Sequence, residues 1–398
     1  STSDFVPAQI SDGAALITIQ NVASEKPVGR DILRGSPLTG SISQGSLYDT
    51  YEGYGGDTAI KDFNLIDLDG DNIIKAINEV DTNKYYYSFT VTKSTLRTGD
   101  GDDSYEIKNS KGYYAEALNS SSIISNGGND LISLELKEAN PLDFFYGLNA
   151  VTDSLIDTGS GNDTVIIKQR SSKDEVSFGT SVFSNSSLIT GSGNDSIYIE
   201  QKNSSKNLNV FIAKNSSTFN FGDGNDTANF ISDGYGIVGD KGDEHYIYLG
   251  GGDDNFTIES TYSGLSSSYL YAGDGNDNIN ISSSNEFNHA LVDSEVFLDS
   301  GNDQLNITNS NNSIVHGGNG HDEIILPDNY AEYTLNIVDG NEFNLLRVDD
   351  GFFSIQGKSI EKISFKDRSI TVETTAPSAP TSLTTSSPAS DNTPTISG

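Results

Sequence analysis

The chain has no cysteine, methionine or tryptophan among its 398 residues. Without cysteine it can form neither a disulfide nor a thiolate metal site, and it has no cysteine nucleophile. Positive charge is scarce as well: 23 lysines and arginines face 57 aspartates and glutamates, so the formal net charge is −34. A chain this acidic repels nucleic acid and anionic membranes, and we expect neither as a partner. No apolar run approaches the roughly 20 residues that a membrane-spanning helix needs.

Hydrophobic residues make up only 34% of the chain, whereas glycine, serine and asparagine are abundant. Such a composition can indicate disorder. The 19 tyrosines, 18 phenylalanines and many isoleucines, however, mostly alternate with polar residues, which favours a folded β-structure. No secretion signal opens the chain, so we expect a mature chain or a fragment whose export signal lies elsewhere.

One short loop, Gly-x-Gly-Asn/Asp-Asp or a near variant, recurs ten times. Its final aspartates are Asp57, Asp103, Asp130, Asp163, Asp195, Asp226, Asp254, Asp277, Asp303 and Asp322. After the first interval, the spacing between them ranges from 33 to 19 residues. Self-similarity at such periods indicates a solenoid.

Apolar residues stand at fixed positions after each loop. The residues two and four places beyond each final aspartate are apolar or aromatic, with the single exception of Lys61 in the first copy. Residues two apart share one face of a strand, so each loop starts a short strand whose inner face is apolar. Between Asp163 and Asp195 three strands are predicted, at Thr164–Gln169, Glu175–Gly179 and Ser187–Ile189. The last interval, of 19 residues, approaches the length of a tighter two-strand turn.

The loop chemistry favours calcium. Glycines allow the sharp turns with positive φ that aim carbonyl oxygens inward, and the aspartates add carboxylates. Oxygen ligands without sulfur or imidazole suit a hard cation with flexible coordination. One loop supplies part of a coordination shell and the stacked neighbour supplies the rest, so binding would drive folding. The predicted metal-site residues are Gly53, Gly55, Asp57, Gly99, Asp100, Gly101, Asp103, Asn126, Gly128, Asp130, Gly159, Gly161, Asp163, Gly191, Gly193, Asp195, Gly222, Asp223, Gly224, Asp226, Gly250, Gly252, Asp254, Gly273, Asp274, Gly275, Asp277, Asp299, Gly301, Asp303, Gly318, Gly320 and Asp322.

A second acidic pattern lies between the first two copies. Asp67, Asp69 and Asp71 alternate with other residues as at the start of an EF-hand loop, and the helix-compatible stretch Ile73–Val80 follows. Either a separate calcium site or an acidic turn is consistent with this pattern.

The repeated loops resemble those of the RTX, or haemolysin-type calcium-binding, repeat family, and the resemblance covers about residues 50–372. A single copy would be ordinary turn chemistry, whereas ten copies in one register favour a metal-binding repeat. The resemblance implies an all-β, right-handed parallel β-solenoid with about ten calcium ions, and export through a type I secretion system. Because the loop mostly occurs once per long turn, we expect one row of ions. Asn126 and Asp299 replace a loop glycine and His321 precedes the last aspartate, so those sites are expected to be weaker.

Four regions are predicted. Residues 1–50 form an N-terminal entry segment or cap with one strand at Ala15–Val22, and residues 51–328 form the calcium-binding solenoid. Residues 329–372 form an antiparallel β cap. Residues 373–398 combine a Ser/Thr/Pro linker with a segment that resembles the opening of the Ig-like repeats of long bacterial surface adhesins.

No catalytic motif is present. The histidines His245, His289, His316 and His321 are expected in solvated loops, with His321 close enough to Asp322 to touch an ion site. Lys168, Arg170 and Lys173 are candidate catalytic residues only if the chain acts on polysaccharide. We therefore predict a non-enzymatic, calcium-dependent structural or adhesive module of a secreted bacterial cell-surface protein. The alternatives are a surface-lattice (S-layer-like) subunit, a polysaccharide-acting solenoid enzyme, or the export domain of one. Candidate partners besides calcium are further copies of the chain and surface glycans.

Overall fold

The protein consists of parallel β-strands stacked circuit upon circuit around an apolar interior, a solenoid-like all-β fold. The computed structural model describes residues 15–19, 32–43, 50–55, 58–68, 70–78, 87–110, 114–137, 145–146, 148–171, 177–178, 180–203, 210–240, 242–285, 287–339, 342–348, 353–372, 385–386 and 395–396. Helical structure within these ranges is limited to the short 3₁₀ turn Tyr330–Glu332. No helix in this part of the chain has the length and apolar character to cross a bilayer.

Two large sheets hold almost all the strands of the described residues, one with 26 strands (sheet A) and one with 14 (sheet B). Each full circuit passes through two rows of sheet A and then one of sheet B. The first row comprises Tyr87–Thr92, Tyr114–Asn119, Asn149–Thr152, Thr180–Ser184, Val210–Lys214, Tyr235–Val238, Leu265–Ser266, Leu291–Val292 and Ser310–Asn311. The second row comprises Thr95–Arg97, Ser122–Ile124, Leu155–Asp157, Ser187–Ile189, Thr218–Asn220, His245–Gly251, Ser268–Asp274, Glu295–Phe297, Ser313–His316 and Ser354–Lys358.

Sheet B comprises Ile32–Gly35, Thr50–Tyr54, Ile73–Asn78, Ser104–Asn109, Leu131–Lys137, Thr164–Ser171, Ser196–Asn203, Thr227–Ser232, Asn255–Ser260, Asn278–Ser283, Gln304–Ile307, Glu323–Ile325, Lys362–Ser364 and Ser369–Thr371. All neighbours in this sheet are parallel except the last pair. At the N-terminal end of sheet A lie Ala15–Ile19, Leu38–Ser43 and Thr58–Ile66, the last of which pairs with both rows. Short bridging strands lie at Ser300–Gly301 and Asn319–Gly320, and two isolated strand pairs join Phe145–Tyr146 to Ser177–Phe178 and Thr385–Ser386 to Thr395–Ile396.

The apolar register predicted from the sequence is confirmed for the copies from Asp103 onward. The residues two and four places beyond each of these aspartates are buried, as at Val165 and Ile167 or Ile197 and Ile199. Because the strands are parallel and in register, like residues stack into columns along the interior. A run of phenylalanines fills the middle of the core, where the Phe219 and Phe230 ring centroids are 5.2 Å apart.

Two local predictions are wrong, and a third is confirmed only in part. Residues Ile73–Asn78 form a strand of sheet B rather than a helix, because Ile74 and Ala76 alternate with outward residues and lie inside. The strand predicted at Glu175–Gly179 is present as Ser177–Phe178, and residues 175, 176 and 179 lie outside the described residues. The prediction missed Thr180–Ser184, the strand that runs in the first row of sheet A and buries Val182 and Phe183. The 19-residue circuit before Asp322 keeps a strand in each of the three rows, where two strands were expected, because these strands are short: Gln304–Ile307, Ser310–Asn311 and Ser313–His316 have four, two and four residues.

The C-terminal part of the described chain changes to antiparallel pairing. Tyr333–Asp339 pairs antiparallel with Glu342–Arg347, which pairs antiparallel with Ser354–Lys358. The last of these strands also pairs in parallel with Ser313–His316 of the preceding circuit. The predicted strand at Ala15–Val22 is present as Ala15–Ile19, and residues 20–22 lie outside the described residues.

A serine ladder forms the bend between the two rows of sheet A. At most of these bends a residue with positive φ, such as Asp153, precedes a buried serine, here Ser154. The serine Oγ donates to the carbonyl two residues earlier and accepts the backbone N–H of the preceding serine in the ladder; Ser121 N donates to Ser154 Oγ over 3.1 Å. This ladder satisfies backbone groups that the bend would otherwise leave unpaired inside the protein.

Candidate metal centre

The glycine–aspartate turns lie at the corner where each circuit passes from the second row of sheet A into sheet B. Gly191 and Gly193 of one turn have φ of +92° and +132°. A Cβ on Gly193 would lie 1.7 Å from the carbonyl oxygen of Gly161 in the turn beneath. Only glycine permits both this backbone conformation and this approach, so the glycines set the close stacking of the turns.

The final aspartates form one continuous ladder inside this corner. Each carboxylate Oδ1 accepts the backbone N–H of the preceding aspartate in the column, as when Asp163 N donates to Asp195 Oδ1 over 2.8 Å. Ten such bonds, at 2.7–3.1 Å, run from Asn72 at one end to Glu361 at the other. These aspartates therefore align successive turns in addition to any role in binding a cation.

The residue before each final aspartate forms a second ladder on the exposed side, and its bonds run in the opposite direction. Asn194 N donates to Asn162 Oδ1 and Asn225 N to Asn194 Oδ1, each over 2.7 Å. Nine of these bonds connect Asp71 to His321. The Asn/Asp-Asp pair in the motif thus has a structural purpose that the sequence pattern did not reveal: one side chain bonds to the next circuit and the other to the previous one.

The first predicted copy of the loop does not belong to this stack. Gly53 lies within a strand of sheet B and pairs with Ala76, while Gly55 N donates to Ile77 O over 3.3 Å. Their prediction as residues of the stacked metal-site turns is wrong, because Gly53 lies inside the strand Thr50–Tyr54 and Gly55 extends its pairing with Ile73–Asn78; Asp57 lies outside the described residues. The exception at Lys61 is thereby explained: that residue does not follow a stacked turn.

The acidic run at 67–72 takes the place of that copy. A Cβ on Gly99 would meet Leu68 O at 2.1 Å and one on Gly101 would meet Gly70 O at 2.3 Å, which places Leu68 and Gly70 directly beneath Gly99 and Gly101. Asn72 occupies the position of the final aspartate. Asp67 is buried and accepts a 2.7 Å hydrogen bond from Tyr51 Oη, and Asp69 lies outside the described residues.

The other predicted loop residues lie in the stacked turns. Asn126 and Asp299, which replace the first glycine, adopt positive φ of 64° and 68°, so the backbone of those turns is preserved. Asp100, Asp223 and Asp274 occupy the exposed position between the two glycines. Sequence reasoning missed Asn72 and Glu361, the two ends of the aspartate ladder. The apolar pair Ile74 and Ala76 beyond Asn72 was the signal that could have revealed the first.

Nine buried carboxylate oxygens in this corner have no hydrogen-bond partner. They are the Oδ2 atoms of Asp103, Asp130, Asp163, Asp195, Asp226, Asp254, Asp277, Asp303 and Asp322. An unpaired buried polar atom costs about 1–3 kcal/mol, and more when it is charged. Nine in one column mark the place where the structure requires positive charge or protons.

Burial is the main cause of a raised pKa throughout the column. It raises the pKa of Asp130 and Asp226 to about 7 and that of Asp195 to about 6, from an ordinary value of 3.8. Backbone N–H donors oppose the shift, and neighbouring aspartates add to it at Asp130. Ionisation of the whole column is therefore unfavourable unless cations accompany it.

The oxygen-only donor set fits a hard divalent cation. In the described part of the chain no three acidic, histidine or cysteine side chains cluster closely enough to ligate one ion by themselves. A cation at this corner would therefore need backbone carbonyl oxygens of the glycine turns together with the Oδ2 atoms. This combination of flexible oxygen ligands from two stacked turns suits calcium.

Two of the four histidines, His245 and His316, do not lie in the solvated loops predicted for them. His245 is fully buried and substitutes for a serine in the serine ladder, where its Nδ1 accepts the backbone N–H of Ser217 over 2.9 Å. Its Nε2 lies 3.1 Å from Val238 O, and burial lowers its pKa. His316 stacks on Phe297 with ring centroids 4.4 Å apart. These two histidines have structural contacts rather than solvated positions, whereas His321 is exposed as predicted.

The basic residues considered for catalysis are engaged on the outer face of sheet B. Arg170 Nη2 lies 2.7 Å from Glu200 Oε2, and Lys168 Nζ lies 5.6 Å from the centre of the Tyr198 ring. Lys173 lies outside the described residues. A scan against protein-family models and a search of curated proteins found no match to the chain.

Proposed function

We propose that this protein is a non-catalytic structural or adhesive module of a secreted bacterial surface protein, which folds when calcium binds along the aspartate ladder. The nine unpaired Oδ2 atoms carry the proposal, because they recur once per circuit, are buried and belong to carboxyl groups. The resemblance of the turns to RTX repeats supports calcium as the cation and type I secretion as the export route. We further propose that the solenoid is right-handed and that its antiparallel C-terminal strands cap its end.

The chain itself explains how folding would depend on the cation. The glycines hold successive turns in contact, and the Oδ1 bonds align each aspartate with the next, so each circuit contributes one unpaired Oδ2 atom to the same corner. Bound calcium would supply positive charge to this corner. The aspartates could then stay ionised at neutral pH inside the corner, and the free energy of binding would appear as folding stability.

The coupling of calcium binding to folding favours an extracellular location. Extracellular modules of this chemistry use calcium at about 10⁻⁴–10⁻³ M, far above cytosolic levels. In the cell the net charge of −34 would keep the chain loose and suitable for secretion, and outside it the circuits would close. About ten ions would remove some 20 of the excess negative charges, since each carries two positive charges.

Calcium removal tests the proposal. We expect the purified protein to show β-sheet circular dichroism and a cooperative melt in about 5 mM calcium, a concentration above the dissociation constants of about 10⁻⁴–10⁻³ M of exterior sites. In EGTA at pH 7.5 the melting temperature should fall steeply or the transition disappear, and magnesium should restore it poorly. Isothermal titration should give several ions per chain. A melt and spectrum unchanged by EGTA would refute the proposal.

A further inference from the structure

An unusual group of aromatic rings covers part of the outer face of sheet A. Tyr246 stacks on Tyr269 with centroids 5.3 Å apart, and Tyr248 stacks on Tyr271 at 5.1 Å, with planes within 11° of parallel in both pairs. Tyr246 and Tyr248 are themselves nearly parallel, at 8°. Phe297 continues the second stack from Tyr271 at 4.8 Å. Stacking of this kind stabilises a sheet. It does not account for Tyr246 and Tyr248, the two rings at which the stacks begin.

Tyr246 and Tyr248 each have one ring face that no other ring covers. In register beneath Tyr246 and Tyr248 lie Thr218 and Asn220, whose side chains are too short to cover a ring. The two tyrosines are 36% and 37% exposed, whereas Tyr269 and Tyr271 are half-buried by the stack. We call the two exposed rings the tyrosine ledge, because the surface steps up there from small side chains to aromatic ones.

A trough leads along the solenoid to this ledge. It is widely open to solvent, has a volume of about 470 Å³ and is lined mostly by small polar residues of successive circuits, among them Asp153, Asn185 and Ser216. Its lining residues Ser122, Leu155 and Ser187 belong to the same column as Thr218 and Tyr246. The trough and the ledge therefore form one linear surface about five circuits long, distinct from the glycine–aspartate corner.

We propose that this surface binds a neutral, linear glycan, with one sugar stacked on the tyrosine ledge and the chain lying in the trough. The C–H face of a pyranose is apolar and weakly positive, which complements the negative face of an exposed aromatic ring. Serine hydroxyls and an asparagine amide can both donate to and accept from sugar hydroxyls. Convergent aromatic and neutral polar groups of this kind are typical of small-molecule sites.

The charge and size of the trough and the ledge favour a neutral glycan over anionic polymers and over a second copy of the protein. The trough lining contains an aspartate but no lysine or arginine, and the chain has a net charge of −34, so uronate or sulfated polymers would be repelled. A second copy of the protein would need about 20–30 residues on each side for a stable interface, many more than the ledge and trough present. The elongated shape favours a chain of sugars over a single one.

Binding of defined oligosaccharides tests the proposal. In calcium-containing buffer, cellohexaose, laminarihexaose, chitohexaose and maltohexaose would be titrated by calorimetry, with polygalacturonate as the anionic comparison. We expect at least one neutral hexaose to bind and polygalacturonate not to bind. Tyr246→Ala with Tyr248→Ala should weaken that binding at least about tenfold, which corresponds to about 1.4 kcal/mol. Tyr246→Phe with Tyr248→Phe should bind within about twofold of the original protein, because the ring faces remain.

Two further variants separate binding from folding. Tyr198→Ala removes a tyrosine from the outer face of sheet B and should leave the affinity unchanged. Ser187→Arg fills the trough without touching the stacked rings and should weaken binding like the double alanine variant, with an unchanged melting temperature. The proposal is overturned if no neutral hexaose binds, if folded Ser187→Arg or the double alanine variant binds normally, or if light scattering shows that the ledge instead holds a second copy. A protein that binds the hexaose but no calcium would refute the proposed function and leave this inference intact.

Discussion

At the scale of single residues, the turns are built from two kinds of side chain with different tasks. The glycines permit stacking at contact distance, and each final aspartate uses one oxygen for alignment and leaves the other unpaired, as Asp195 does. The two tasks can be separated by substitution, because glycine affects backbone geometry whereas aspartate affects charge.

Gly193→Ala tests the backbone requirement. The new methyl group would meet Gly161 O at 1.7 Å, at a residue whose φ is +132°, so we expect the free energy of unfolding to fall by about 2–5 kcal/mol. Gly242→Ala is the matched control, since Gly242 has φ of +97° but no atom within 4 Å of the added carbon. It should cost about 1–2 kcal/mol. Urea denaturation in calcium measures both, and equal losses would contradict the packing argument.

Asp195→Asn tests the unpaired oxygen. The amide oxygen can still accept the N–H of Asp163, while the charge at a buried position disappears. We expect the variant to melt at a higher temperature than the original protein in EGTA, yet to need more calcium for half-maximal stabilisation. Asp223→Asn, which removes an exposed charge from the next turn of the stack, should change both quantities little. A variant that is less stable in EGTA would show that the charge is already compensated within the protein.

At the scale of the elements, the parallel rows depend on side-chain ladders at their corners as much as on apolar columns. The serine ladder and the two Asn/Asp ladders supply acceptors at the bends, where the strand hydrogen bonds end. Such ladders let each circuit vary in length, because the corners are fixed by local bonds rather than by the length of the connecting segments.

The aspartate ladder predicts a specific pH dependence for the calcium-free protein. Its folded-state pKa values, about 6 at Asp195 and about 7 at Asp130, exceed the ordinary 3.8, so the folded state binds more protons than the unfolded state between these values. The column therefore favours folding fully below about pH 4, and this contribution is lost as pH rises through 6 to 7. Thermal melts in EGTA should show a higher melting temperature at pH 4.5 than at pH 7.5. Calcium at pH 7.5 should reverse the loss, and an EGTA melt that improves with pH would contradict the raised pKa values.

At the scale of the whole molecule, the net charge of −34 opposes the compact state. Self-repulsion between exposed carboxylates acts over about 10 Å at 0.1 M salt and is screened at higher ionic strength. The stability of the calcium-free protein should therefore depend on monovalent salt as well as on divalent ions.

We expect the melting temperature in EGTA to rise when sodium chloride increases from 0.05 to about 0.5 M, a change that shortens the screening length severalfold. In saturating calcium the same increase should have a much smaller effect, because bound ions already offset part of the charge. An equal salt effect with and without calcium would indicate that the ladder takes up no ions.

The repeat in the sequence was sufficient to predict the fold class, because a strand that buries Val165 and Ile167 after every turn must stack on copies of itself. It could not assign the first circuit, since Gly53 within a strand and Gly55 just after that strand mimic the motif, while Asn72 carries the true register. The helix expected at Ile73–Val80 is absent for a different reason. Local helix propensity is weak there, and pairing with the neighbouring strands of sheet B determines the conformation of Ile73–Asn78.

The sequence alone determined the period, the apolar interior and the concentration of acid at one corner, because these properties repeat locally along the chain. Only the tertiary structure decided which oxygen of each aspartate is left unpaired, that Glu361 closes the ladder, and that two tyrosines meet a polar trough. Those relations join residues about 20–40 positions apart, and their alignment depends on how each circuit stacks on the next.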